Sequence, residues 1–398
     1  MKIVLFDTPY TYENLLPLSY TRPISAFRVG IVTIREKWEH FLPGDYCYYP
    51  KDYLREKFVC HCDSGEFLFI AGNKLPDAQC AAEATMLSTG ESLRDDFGIW
   101  AFYGTCEDFE KLSEKEGKVS QSRCRRINFV FDIFLFNAEE IESDFEWITK
   151  DRKGISPDKN TTIIGDIRDS EGNPRIFIEE GAVVECATIN LKNGPVYIGK
   201  NAQVMEGTCI QGPLALCDNG KIKMGAKIYG ACTFGPFCKV GGEVSNSVMF
   251  GYSNKAHDGY LGNAVIGEWC NIGAGTNCSN LKNDYSKIRI WNYAQRRFMR
   301  TDLQFCGLIM GDHSKAGINC MFNTATVVGV GVNFHGAGFP RQFIPSFLNG
   351  SPEGGYSDVS IDTFMTVAQR VMGRRGLELN DIDRRIFEHI YKAASQFK

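Results

Sequence analysis

Several features are missing from this 398-residue sequence, and each absence closes off a class of function. No run of lysine and arginine is dense enough to follow a nucleic acid or lie on a membrane surface, and the formal net charge is −4 with a pI near 6.0. No apolar stretch approaches the ~18 residues that a membrane span requires. The opening Met1-Lys2-Ile3-Val4-Leu5-Phe6-Asp7 is a short apolar run that meets an acid at once, without the longer core and small-residue cleavage site of a signal peptide. A cytoplasmic protein with neither membrane nor nucleic-acid partners is expected. Histidine is scarce at six residues; cysteine is numerous at fifteen but lacks zinc-ligand spacing. Cysteines such as Cys186, Cys209, Cys217, Cys232 and Cys238 stand singly, as small buried hydrophobes in a reducing compartment do. Cys60-His61-Cys62 is the one cluster, no further ligands accompany it, and no metal is assigned there.

Glycine is scarce in only one part of the chain. Residues 1–154 hold 9 of the 40 glycines, so the architecture changes near Asp151-Arg152-Lys153-Gly154. The length also suits more than one domain. The first part reads as α/β. Lys2 to Phe6, Phe67 to Gly72 and Gly98 to Tyr103 are strand candidates; Val29 to Leu42 is a turn leading into a helix, and Ala81 to Met86 suits a helix.

The second part repeats. Ile178 to Val183, Ile198 to Val204, Met224 to Ile228, Phe234 to Val240 and Ile266 to Ile272 share one pattern: an aliphatic residue, often a glycine, a few polar residues, a small residue and another aliphatic. Glycines fall six apart at 235 and 241, 267 and 273, and 311 and 317. Six is too long for an alternating strand and wrong for a helix, but it fits one flat side of a triangular β-coil. Sandwich strands recur at ~8–12 residues instead. The expected organisation is an α/β domain over 1–154 and a left-handed parallel β-helix over 155–350, with its repeat clearest from Arg175 to Asn349. A helical segment over 351–398 follows, of one or two helices. Val248 to Tyr260 and Leu281 to Phe305 break the count and are expected to be insertions on the binding face.

The densest polar cluster in the repeat region is Asn254-Lys255-Ala256-His257-Asp258-Gly259-Tyr260-Leu261-Gly262. Asn271-Ile272-Gly273-Ala274-Gly275-Thr276 and Asn280-Leu281-Lys282 follow it. A histidine near neutral pKa can take the proton of an amine that attacks a thioester. Of the six histidines, only His257 sits where the coil count breaks beside a lysine and a tyrosine. The string resembles the acetyltransferase domain of the bifunctional UDP-N-acetylglucosamine diphosphorylase/glucosamine-1-phosphate N-acetyltransferase family. Leu16 to Pro23, Gly307 to Lys315 and Phe343 to Phe347 resemble the alternative, Bacteroidetes-type branch. The match is strong over about 175–350 and weaker over 1–150.

The resemblance implies His257 as general base, Lys255 at the sugar phosphate, Tyr260 and Asn271 on the sugar, and Ala274 and Asn280 on acetyl-CoA. Leu281 stands where the common bacterial form has tyrosine. His313 and Lys315 form a second polar group within reach of a CoA phosphate. The resemblance also implies nucleotidyl transfer in the first domain, with Mg²⁺. Such domains cradle nucleotide phosphates on a glycine-rich loop after the first strand. Here Asp7-Thr8-Pro9-Tyr10-Thr11-Tyr12 takes that place, with no glycine before Gly30. Arg22 and Arg28, with Arg35 and Lys37, are the substitutes for phosphate charge. Asp77 and Asp132 are the candidates for Mg²⁺. The expected function is N-acetylation of glucosamine 1-phosphate from acetyl-CoA, with UMP transfer from UTP, in a homotrimer. Two rival readings stay open: a glucose-1-phosphate thymidylyltransferase-like enzyme, and a catalytically dead β-helix scaffold or binding protein.

Overall fold

Lys2–Phe6 forms a strand whose last four residues are buried, because the sheet around it is covered on both sides. It runs parallel to Asp45–Tyr49 on one side and Phe67–Ala71 on the other. Gly98–Gly104 lies antiparallel to Phe67–Ala71, and Ser92–Asp95 and Lys118–Val119 complete a six-stranded sheet. The computed structural model describes residues 1–60, 62, 64–112 and 117–398. Helix Ile34–Phe41 starts on a reciprocal cap between Thr33 and Glu36, and helix Ala78–Thr85 starts on Asp77. The 18-residue helix Asp132–Thr149 closes the domain.

From Thr162 onward, short strands pair in parallel with their successors one turn later and build three flat faces. This is the hexapeptide left-handed β-helix that the six-residue register predicts. One face has six strands, one nine and one ten, and a two-stranded pair, Asn277–Cys278 with Met321–Phe322, prolongs the first. Inward positions stack aliphatics, for example Val204, Ile222 and Val240 on the ten-stranded face. Outward positions there are polar: Gln203, Lys221, Lys239, Asn254, Asn271, Lys315 and Asn333.

The nine-stranded face breaks this alternation. Its outward residues Tyr197, Ala215, Thr233, Val248, Val265, Ile309 and Val327 are buried too: the N-terminal domain packs over the face, and at its far end, beyond Val327, Phe343 stacks on Trp291 of the inserted hairpin. Asn137 on the long helix donates to the Ala231 carbonyl at 3.0 Å, and Thr233 donates to the Gly30 carbonyl at 2.9 Å. Strands buried on both sides lose the polar beat that exposed ones keep.

The two interruptions have different origins. Leu281 to Phe305 is a true insertion containing the antiparallel hairpin Arg289–Asn292 and Arg297–Arg300. Val248 to Tyr260 is not an insertion. Partners on the coil are eighteen residues apart at Val196, Leu214 and Cys232, but Thr233 pairs with Val248 and Lys239 with Asn254, fifteen apart. One corner, between Lys239–Val240 and Glu243–Ser245, has shrunk to Gly241 and Gly242; the corners at 223–226, 256–259, 273–276 and 317–320 have four residues each. That shortened corner removes two of the three residues, since Tyr229 pairs with Ser245 sixteen on, and the third is lost at Asn246-Ser247, after which Thr233 pairs with Val248 fifteen on.

Two helices, Ile361–Gly373 and Asp381–Ala394, end the chain. They pack on the corner between the nine- and ten-stranded faces and reach the N-terminal domain, where Lys57 pairs with Asp383 at 2.7 Å. No helix among the described residues is long and apolar enough to cross a membrane.

Candidate active site

The shortened corner leaves a shelf, and the next corner settles onto it. A Cβ on Gly241 would stand 2.6 Å from the Ala256 carbonyl, and one on Gly242 would stand 2.8 Å from Asp258 Cα and from the His257 carbonyl. Gly242 also has φ +72°, a conformation that side chains resist. Both positions therefore require glycine. The His257 corner lies on them, and the following corner lies on it in turn, with Gly275 N–H donating to the Asp258 carbonyl at 2.9 Å. His257 itself is exposed, between the strands Asn254–Lys255 and Tyr260–Gly262.

Beside it runs a chain of polar contacts. Asn280 Nδ2 donates to the Tyr260 hydroxyl at 2.9 Å and to Asn263 Oδ1 at 2.7 Å. The Tyr260 backbone N–H donates to Asn277 Oδ1 at 2.8 Å. Half-burial pushes the Tyr260 phenol up from its ordinary pKa, so it stays protonated and can donate to a ligand. Asn271 points outward on the ten-stranded face, exposed, between Asn254 and Lys315. Ala274 lies in the next corner, its carbonyl accepting from Asn319 N–H at 2.7 Å. Thus His257, Tyr260, Ala274 and Asn280 gather around two stacked corners, while Asn271 stands on the neighbouring face.

Lys255 goes elsewhere. It occupies the inward position that Val240 and Ile272 fill on neighbouring turns and is 1% exposed. Its ammonium donates to the carbonyls of Gly241 at 3.0 Å and His257 at 2.6 Å. Burial pulls its pKa down to about 8. Strand alternation puts Asn254 outside and Lys255 inside, so this lysine fastens the His257 corner to the shelf rather than facing a sugar phosphate. His313 is likewise buried. Its ring continues a file of corner rings, Phe237, Tyr252 and Trp269, whose centroids are 5.1, 4.3 and 6.0 Å apart down to His313. Burial holds His313 well below its usual pKa. Lys315 donates to the His313 carbonyl at 2.8 Å and borders a cavity of about 490 Å³ with Ser360 and Thr363 at the start of a terminal helix.

In the N-terminal domain the expected phosphate cations are already committed. Arg22 is 6% exposed and pairs with Asp312 and with Glu268 at 3.3 Å. Arg28 donates to the Ile31 carbonyl. Lys37 is enclosed by Glu140 and Asp144 at 2.8 and 2.5 Å, and Arg35 pairs with Glu39. These side chains join the domain to the coil or hold its long helix. The Mg²⁺ candidates are occupied as well. Asp77 accepts the Cys80 N–H at 2.7 Å, and Asp132 accepts the N–H groups of Asn128 and Phe129 at 2.7 and 2.8 Å. At the end of the central strand, where open α/β sheets bind ligands, two amides stand instead of carboxylates. Asn73 Nδ2 donates to Asn128 Oδ1 at 3.1 Å. Among the described residues no three His, Cys, Asp or Glu are placed together to hold a metal ion, and both candidate carboxylates accept backbone N–H groups.

Of the expected site residues, Asp132 alone lines a cleft of about 790 Å³ between this domain and the coil's inserted hairpin. Arg123, Arg125, Arg126, Asn128, Phe129 and Arg300 are among its walls. Arg126 is buried against Asp95 at 2.8 Å and keeps Nη1 without a partner. The signal was present in Arg123-Cys124-Arg125-Arg126, three cations in four residues.

Comparison with known proteins defines the class of the first domain. Residues 3–153 match the family model described as sugar nucleotidyl transferase. Particular relatives then emerge. The bifunctional protein GlmU of Synechococcus elongatus is 27% identical over 162 residues, 39% of this chain and 32% of that protein. GlmU of Methanocaldococcus jannaschii is 33% identical over 87 residues, 22% of this chain and 21% of that one. The likeness is partial: the matched stretch spans 32% of the first relative's length. Among solved structures, LpxA of Bacteroides fragilis, a UDP-N-acetylglucosamine acyltransferase, covers 61% of this chain and 83% of its own at 16% identity and a TM-score of 0.26. A likeness that loose carries no functional weight.

Proposed function

We propose that the chain is a transferase of amino-sugar nucleotide synthesis that moves the acetyl group of acetyl-CoA onto the amine of glucosamine 1-phosphate. The observation that carries this reading is the exposed His257 on its glycine shelf beside the Tyr260–Asn280 pair. In this reading the imidazole takes the proton from the sugar amine as nitrogen attacks the thioester carbon, and the CoA sulfur leaves as the carbonyl re-forms. Tyr260 and Asn280 hold sugar and cofactor in line, Ala274 leaves room for the pantetheine arm, and Asn271 contacts the sugar from the adjoining face. The phosphate must meet its cation elsewhere than at Lys255. The assay is free-thiol release from acetyl-CoA across a panel of amino-sugar phosphates. Release with glucosamine 1-phosphate that disappears in His257→Ala supports the reading; no release with any sugar refutes it.

The N-terminal domain binds a nucleotide in this reading, and the arginine-walled cleft is where its phosphates are placed. The subunits associate as a homotrimer: two of the three coil faces are left uncovered by the chain's own N-terminal domain, and exposed Met224 and Tyr229 border one of them.

A further inference from the structure

The N-terminal cysteines do not stand singly in space. Cys47 on the strand Asp45–Tyr49 has its Sγ 3.6 Å from that of Cys60. Cys60 is 3.1 Å from Cys62, and Cys62 is 3.2 Å from Cys106, which opens the helix Cys106–Glu110. All four are half-buried. His61, between two of them, lies outside the described residues. These contacts link the sulfurs in succession, and among the described residues no three His, Cys, Asp or Glu side chains are placed to share a metal ion. That arrangement favours pairwise sulfur chemistry.

We propose that Cys47, Cys60, Cys62 and Cys106 form a thiol–disulfide site that oxidises to two bridges, Cys47–Cys60 and Cys62–Cys106. The oxidant is a low-molecular-weight disulfide of the glutathione class. One protein thiolate attacks it, forms a mixed disulfide and releases one small thiol. The neighbouring protein thiolate then attacks the protein sulfur of that mixed disulfide and releases the second. Each bridge thus consumes two protein thiols and one small disulfide, and yields two small thiols. Cys60 and Cys62 each touch two partners, so a bridge formed between them is passed outward by exchange. Closure needs each sulfur to move only from 3.1–3.6 Å to the ~2.05 Å of a bond.

The position gives the site a consequence. The segment enclosed by Cys47 and Cys60 carries the contacts that hold the last helix. Tyr53 stacks on His389 at 4.0 Å, Lys57 pairs with Asp383 at 2.7 Å, and Glu56 pairs with Arg385. A Cys47–Cys60 bridge closes a loop around this docking segment and fixes it to the sheet, so oxidation tightens the hold on the helix. Disulfides of cytosolic proteins are characteristically of this reversible kind.

The test uses the full chain, incubated with oxidised glutathione and then alkylated under denaturing conditions. The expected result is loss of four of the fifteen thiols, with Cys47–Cys60 and Cys62–Cys106 recovered in peptide maps, reversal by dithiothreitol, and a higher melting temperature for the oxidised form. Cys60→Ser is expected to keep the Cys62–Cys106 bridge and lose the gain in melting temperature. Cys62→Ser is expected to keep both Cys47–Cys60 and the gain. Retention of all fifteen thiols, bridges confined to other pairs such as Cys80–Cys124, or thiols released only after zinc is chelated away would each overturn the proposal.

Discussion

Tyr260 and Asn280 are joined across twenty residues of coil by one hydrogen bond, from the amide Nδ2 to the phenol oxygen at 2.9 Å. The bond fixes both side chains beside His257 before any ligand arrives, and a ligand that hydrogen-bonds the phenol meets an oriented group. Tyr260→Phe is expected to raise KM for the sugar by roughly 10-fold, the value of about one hydrogen bond to a polar ligand group, with a smaller change in kcat. Steady-state thiol release measures both. An equal loss in both constants would place Tyr260 in the chemical step instead.

His257→Ala should abolish acetyl transfer. Loss of a general base costs ~10²–10⁴-fold in rate, and it should fall on kcat. The imidazole is exposed, so stability should stay within ~0.5 kcal/mol of the parent. A thermal melt beside the thiol assay separates lost chemistry from lost fold.

Gly242→Ala tests the shelf. The new methyl would meet Asp258 Cα and the His257 carbonyl at 2.8 Å on a backbone at φ +72°. Transfer should fall by more than tenfold because a misplaced catalytic group costs heavily, with about 1–2 kcal/mol lost from the backbone strain. The comparison is His257→Ala, which removes the base but leaves the corner in place; hydrogen exchange at 256–259 should rise only in Gly242→Ala.

Lys255 gives a pH signature. Its pKa is about 8 in the fold against ~10.4 unfolded, so between those values the unfolded chain binds more protons and stability rises with pH. Chemical denaturation at pH 7.5 and 10 should show this rise, and it should shrink in Lys255→Met, which cannot ionise.

Arg22→Ala should damage the fold rather than nucleotide binding. It strips the buried Asp312 of its guanidinium partner, and breaking a buried pair costs about 3–5 kcal/mol. Arg300→Ala, exposed on the cleft wall, should weaken UTP binding without moving the melting temperature. Calorimetric titration of both variants decides between them.

The coil was legible because its six-residue beat is local: an inward aliphatic and a tight corner need only neighbours a few residues away. The strands Lys2–Phe6 and Phe67–Ala71 were legible for the same reason, as compact apolar runs. The cause of the break at Val248–Tyr260 was not, because its origin lies upstream at Gly241–Gly242 and Asn246–Ser247, and a count that fails in one place does not say where residues are missing. Lys255 looked like a ligand-facing cation because charge predicts an outward side chain; the strand's phase turned it inward. Arg22 and Asp312 are 290 residues apart, and nothing in either segment alone announces the other. The cysteine file was hidden likewise, since Cys62 and Cys106 meet only when the sheet brings them together.

The nine-stranded face, apolar inside and out, governs how the chain can be handled at the bench. A fragment cut near residue 154 to yield the coil alone would bare Tyr197, Ala215 and Val248, against which the N-terminal domain packs. It would also strand Asp312 without Arg22 and Asn292 without Asn14. Uncovered apolar surfaces drive association between copies. Expression trials should therefore keep both halves in one polypeptide, and precipitation of a truncated coil should be read as the exposure of this surface rather than as a defect of the β-helix itself.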